Sequence, residues 1–182
     1  MALYEVLGPI SIAQLWLCLW FMLRRWPGNK SMSYSAHAAA TRKGIIYYFV
    51  IFSLHMFLFY LFVANWFAPT FNLPTIFTAI LLVAILGQFT ALIVPTTGGK
   101  KTTLHDLASY LMYVMLVPLC LFITFSSNFS DFARFYATIA AIYMVISWFI
   151  FALNKHKDNF YLFQTLYGLS FHTSILVAMY FQ

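Results

Sequence analysis

The sequence predicts an all-α integral membrane protein, a six-helix bundle forming a single domain over residues 1–182, and three observations lead there. The chain is 63% hydrophobic and only 8% charged, against about 25% charged in ordinary soluble domains. Its mean hydropathy is +0.85. Six apolar stretches each meet the roughly 20 residues that a helix needs to cross a hydrocarbon core of about 30 Å. The connectors left between them are too short to bury a second, water-soluble core.

The first stretch, Leu3 to Leu23, has no basic segment before it, and Arg24, Arg25, Trp26 and Pro27 follow where a small-residue cleavage site would stand. It reads as a retained helix. The second runs from Gly44 to Phe67 and stops at Ala68-Pro69 with Asn72. The third, Leu73 to Val94, stops at Pro95 to Gly99, and the fourth, Leu104 to Phe125, at Ser126 to Asp131. Phe132 to Leu153 and Phe160 to Phe181 complete the set, parted by Asn154 to Asn159. Short connectors make successive helices antiparallel. Tyr4, Trp20, Trp26 and Trp66 lie near the expected interfaces, as an aromatic belt requires.

Charge orients the bundle. Nine of the ten Lys and Arg residues fall in the first, third and fifth connectors, and Arg134 alone in the even ones. The positive-inside rule then places the odd connectors in the cytoplasm and both termini outside a plasma or cytoplasmic membrane. The net charge of +6 is therefore expected to meet anionic lipid headgroups rather than nucleic acid. The bilayer is the expected partner, with a membrane-protein partner or a second copy as a further one. Asn128-Phe129-Ser130 is a glycosylation sequon on the outer side. Cys18 and Cys120 sit in apolar segments and read as small hydrophobes.

Ionisable residues inside a membrane are costly and mark where function is sought. His55 and His172 lie midway along the second and sixth helices, which run in the same direction, so the two imidazoles are expected at one depth. Tyr161, Thr165, Gly168 and His172 recur at helical spacing and share a face, with Gly168 allowing a neighbour or a flat ligand to approach. Such a histidine pair suits axial ligation of haem b, a proton relay, or hydrogen bonds within the bundle. Toward the cytoplasmic end, a second helix beginning near Ser35 would align His37, Thr41, Gly44, Tyr48 and His55 in one stripe. His105, Ser109 and Tyr113 form another on the fourth helix, and Gln88 and Thr90 approach from the third. Tyr48, Gln88, Ser109 and Tyr113 are the expected substrate-binding set.

Thr103 to Asp106 fits a capping box, which gives Asp106 a helix-start role. Its alternative is catalytic: His105, Asp106 and His37 as metal ligands, zinc among the candidates, or as general acid and base, because a carboxylate orients an imidazole. Ala133, Ala137 and Ala141 form a small-residue seam, and Ser11, Gln14 and Cys18 a mild polar stripe suited to inter-helix bonding.

Leu7-Gly8-Pro9, Tyr34-Ser35-Ala36-His37, and Val94-Pro95-Thr96-Thr97-Gly98-Gly99 followed by Leu104-His105 together give the first two thirds of the chain a family likeness. It resembles a bacterial and archaeal family of short six-span membrane proteins of unknown function, loosely of the DRAM and FRAG type. The resemblance implies a six-helix bundle with His37 and His105 on a shared face, and supplies no reaction; His55 and His172 depart from it. Three functions stay open: a binding, transport or partner-subunit protein with an inward-facing polar pocket, a metal-dependent enzyme acting on a lipid, or a b-type haem protein ligated by His55 and His172.

Overall fold

The computed structural model describes residues 2–26, 28–94, 100–153 and 159–182, and among them the only regular structure is helical. Helix α1 spans Ala2–Arg25, α2 Tyr34–Ala39, α3 Arg42–Phe62, α4 Ala68–Thr70, α5 Thr75–Ile93, α6 Lys100–Phe125, α7 Asp131–Ala152 and α8 Phe160–Tyr180. Six helical segments are long and apolar enough to cross a membrane: Leu3–Arg25, Arg42–Thr70, Thr75–Ile93, Thr102–Phe125, Asp131–Phe151 and Phe160–Tyr180. The protein is an integral membrane six-helix bundle. Pro27, the Pro95 to Gly99 break, and Asn154 to Asp158 with Lys155 and Lys157 lie outside the described residues.

The second span departs from its sequence reading at both ends. At its start the chain breaks between α2 and α3, where Thr41 takes an extended conformation and its hydroxyl caps α3 by accepting from the Gly44 N–H. The stripe from His37 to His55 is therefore not one helical face. At its far end the span continues through a π-helical turn, Val63–Phe67, into α4. Pro69 explains this: it lacks an N–H, and its ring crowds the carbonyl four residues back. The wider turn lets the Ala68 N–H reach the Val63 carbonyl, five residues back.

Burial follows helical period. Gly44, Tyr48, Ile51, His55, Phe59 and Phe62 form the inner stripe of α3, and Phe77, Leu81, Ala84, Gln88 and Ala91 that of α5. Large apolar side chains such as Leu3, Phe57, Leu86, Phe125 and Phe149 stay exposed. In a bilayer that surface meets acyl chains at no hydrophobic cost, so cohesion comes from close packing and interhelical hydrogen bonds. Gly87 lets α5 and α6 approach closely, since a Cβ there would stand 2.8 Å from the Ala108 carbonyl oxygen of α6. Ala133, Ala137 and Ala141 are buried as the expected seam of α7.

The two ends of the bundle differ. At the end holding both termini, Phe62, Phe67, Phe71, Phe77 and Phe129 gather into one aromatic cluster, with Phe71 and Phe129 stacked at 4.4 Å between centroids. The Asn128 amide donates to the Phe71 carbonyl at 2.7 Å and latches two connectors together, so the sequon nitrogen serves a tertiary contact. Trp66 joins this cluster and is buried, whereas Trp20 remains at the surface beneath the Arg24 guanidinium. Arg134 is neutralised there by Asp131 at 3.2 Å. The opposite end, where Arg24, Arg25, Lys30, Arg42 and Lys43 lie, is the basic end among the described residues.

Candidate functional site

Three cavities adjoin one another between the basic end and the centre of the bundle. The outermost, about 90 Å³, is lined by Ser33, Ser35, His105, Asp106, Ser109 and Gln164 among others, and its exposed members Asp106 and Tyr110 mark its mouth. A neck of about 20 Å³ shares Ser35, His105, Ser109, Tyr113 and Gln164 with it. The same neck shares Tyr48, Gln88, Met112, Tyr113 and Gln164 with the innermost cavity, of about 120 Å³, which ends on His55 and His172.

Helix α2 and the segment before it close over this track. Ser33 caps α2, accepting from the Ala36 N–H at 3.1 Å. The Tyr34 N–H donates to Gln164 Oε1 at 3.0 Å, while the Tyr34 hydroxyl bonds Thr165 Oγ1. Thr165 already donates to the Tyr161 carbonyl, so the phenol is the donor in that pair. Burial pushes the Tyr34 phenol above its ordinary pKa. Tyr34 thereby places its ring in the innermost cavity.

His105 serves the backbone. Its Nδ1 lies 2.9 Å from the Ala91 carbonyl and 2.8 Å from that of Val94, so it carries the proton and caps the last turn of α5. Nε2 is then the acceptor, and Ser35 Oγ fills it at 3.2 Å. The short helix thus delivers Ser35 to His105. His37, two residues on, bonds the Ser33 carbonyl through Nδ1 and packs on Gly28. Asp106 is exposed on the outer side of His105, and because α6 begins at Lys100, Thr103 lies inside the helix rather than at its cap. Among the described residues no three of His, Cys, Asp and Glu assemble as a metal site.

His55 and His172 do meet at mid-bundle, with ring centroids 5.0 Å apart and planes at 78°. Each is anchored at Nδ1, in opposite senses. His55 Nδ1 lies 3.0 Å from the Ser11 carbonyl, which can only accept, so this nitrogen carries the proton. His172 Nδ1 lies 3.0 Å from Trp16 Nε1, whose N–H can only donate, so this nitrogen is bare and the proton sits on Nε2. That arrangement does not suit haem. A metal-bound imidazole donates its other nitrogen's proton to a neighbour, and His172 receives one instead. Two rings in edge-to-face contact also leave no slab between them for a macrocycle.

Of the expected substrate-binding set, Tyr48, Gln88 and Tyr113 line the innermost cavity and Ser109 the outer one and the neck. Gly168 meets a flat neighbour, and it is the Trp16 indole, 3.2 Å from where a Cβ would stand. Gln14 and the Cys18 carbonyl bond Ile51 and Tyr47 across to α3, as the polar stripe of α1 suggested. Sequence reasoning missed Gln164, Trp16 and Tyr34. Gln164 carried the same signal as Gln88, an amide inside an apolar span. Trp16 carried none, because an aromatic residue in such a span looks alike whether it faces lipid or a histidine. No family model, curated protein or solved structure matches this chain.

Proposed function

We propose that this protein binds a small molecule in the mid-membrane cavity and admits it from the basic end, which faces the cytoplasm. The observation that carries this reading is the shared wall between successive cavities: Ser35, His105 and Ser109 lead through Gln88 and Gln164 to His55 and His172. Beyond the histidines lies the aromatic cluster around Phe67, which is fully buried. A site reached from one end and closed at the other suits capture or sensing, and is one state of a carrier. The uneven basic residues, with Arg134 already paired to Asp131, favour a cytoplasmic basic end.

Sided thiol labelling tests this. In a background with Cys18→Ala and Cys120→Ala, Ser109→Cys is expected to react with a small membrane-impermeant methanethiosulfonate applied from the same side as a Lys43→Cys control, and from no other. Phe67→Cys is expected to stay unlabelled from both sides. Labelling of Ser109→Cys from the side of the termini, or from neither side, would overturn the reading. In intact cells, external labelling of Lys43→Cys would reverse the orientation.

A further inference from the structure

Resting on the reading that the innermost cavity is a ligand site, we infer that it takes an uncharged one-ring heterocycle that offers a hydrogen-bond donor to His55 and an acceptor to His172. The opposite anchoring of the two rings carries this. With its Nδ1 proton committed to the Ser11 carbonyl, His55 presents a bare Nε2. With its Nδ1 filled by the Trp16 N–H, His172 presents an Nε2–H. Both rings line the cavity, and neither Nε2 is among the buried polar atoms sealed away without a partner. The bundle therefore holds one acceptor and one donor side by side, turned to a space rather than to each other. A buried polar pair of this kind rejects a ligand that leaves either member unmatched more strongly than it rewards one that fits.

The rest of the wall narrows the class. Among the described residues no Lys, Arg, Asp or Glu lines this cavity, so a charged ligand would lose its hydration with no counter-ion there. Trp16, Phe52, Phe59 and Tyr113 supply flat apolar faces. A space of about 120 Å³ is somewhat smaller than the roughly 150 Å³ apolar cavity that admits benzene, which limits the ligand to a single ring. A lactam or azole with N–H and acceptor on neighbouring atoms meets all of these conditions.

The test uses the full chain in lipid nanodiscs, with empty nanodiscs as the partition control, and follows binding by saturation-transfer NMR. The probes are 2-pyridone, N-methyl-2-pyridone, benzene and N-methylpyridinium. 2-Pyridone is expected to bind about tenfold more tightly than N-methyl-2-pyridone or benzene, with the cation weakest. His55→Phe and His172→Phe are each expected to abolish that preference while benzene still binds. Should either fail to fold, Trp16→Phe replaces it: freeing His172 Nδ1 lets the ring present either tautomer, and the preference is expected to shrink. Equal binding of 2-pyridone and benzene, or tightest binding of the cation, would overturn the ligand class yet leave the cavity a binding site. Binding of no probe would overturn both, and the thiol labelling then tells whether the track itself is open.

Discussion

The two halves of the bundle share a composition and differ in how they fill space. Toward the termini, phenylalanines from the second span, α5 and the connector before α7 close on one another, with Phe67 at their centre and fully buried. Toward the basic end, α3, α5, α6 and α8 carry Tyr48, Gln88, Ser109 and Gln164, and the interior keeps cavities of about 120, 20 and 90 Å³. Aromatic rings seal by shape alone. Hydroxyls and amides must be aimed at partners, and aiming them holds side chains apart. The contrast teaches that in a solvent as apolar as the core, function is placed by where packing is given up rather than by where hydrophobicity falls.

Three substitutions, from the largest expected effect to the smallest, would break or sharpen this comparison. Phe67→Ala removes the centre of the aromatic cluster and is expected to cost about 4 kcal/mol, read as a lowered midpoint in a detergent unfolding titration of a bundle that still folds without detergent stress. Retention of full stability would mean that the terminal half is not the sealed one. Gly87→Ala forces a methyl against the α6 backbone at Ala108 and is expected to cost about 2 kcal/mol in the same titration. It should also widen the neck beside Gln88 and speed thiol labelling at Ser109→Cys, whereas Phe67→Ala should leave that rate on the basic side unchanged. Asp131→Asn breaks an ion pair whose carboxylate is fully exposed, and no shift of the unfolding midpoint is expected. A clear destabilisation would show that the terminal rim, and not only its aromatic interior, holds that half together.

Much of the site was legible because polar residues are rare enough in an apolar span to stand out. His55 and His172 could be set at one depth from helix direction and length, and they meet; Tyr48, Gln88 and Tyr113 could be put on inward faces, and they line the cavity. What failed was continuity. A helix from Ser35 through His55 agrees with the residue spacing, but Thr41 prefers to cap, and the resulting break sends Ser35 rather than His37 to His105. Trp66 looked interfacial because tryptophan favours that depth. The π turn before Pro69 rotates the helix there, and the ring packs inward on Phe62.

What the sequence by itself determined is the membrane solvent, the six spans and the uneven charge, because these depend on composition and length summed over many residues. Only the tertiary structure decided the chemistry of the histidine pair. A tautomer is chosen by the atom opposite each nitrogen, a carbonyl for His55 and an indole N–H for His172. Those partners lie 44 and 156 residues away in the chain, beyond anything local spacing encodes.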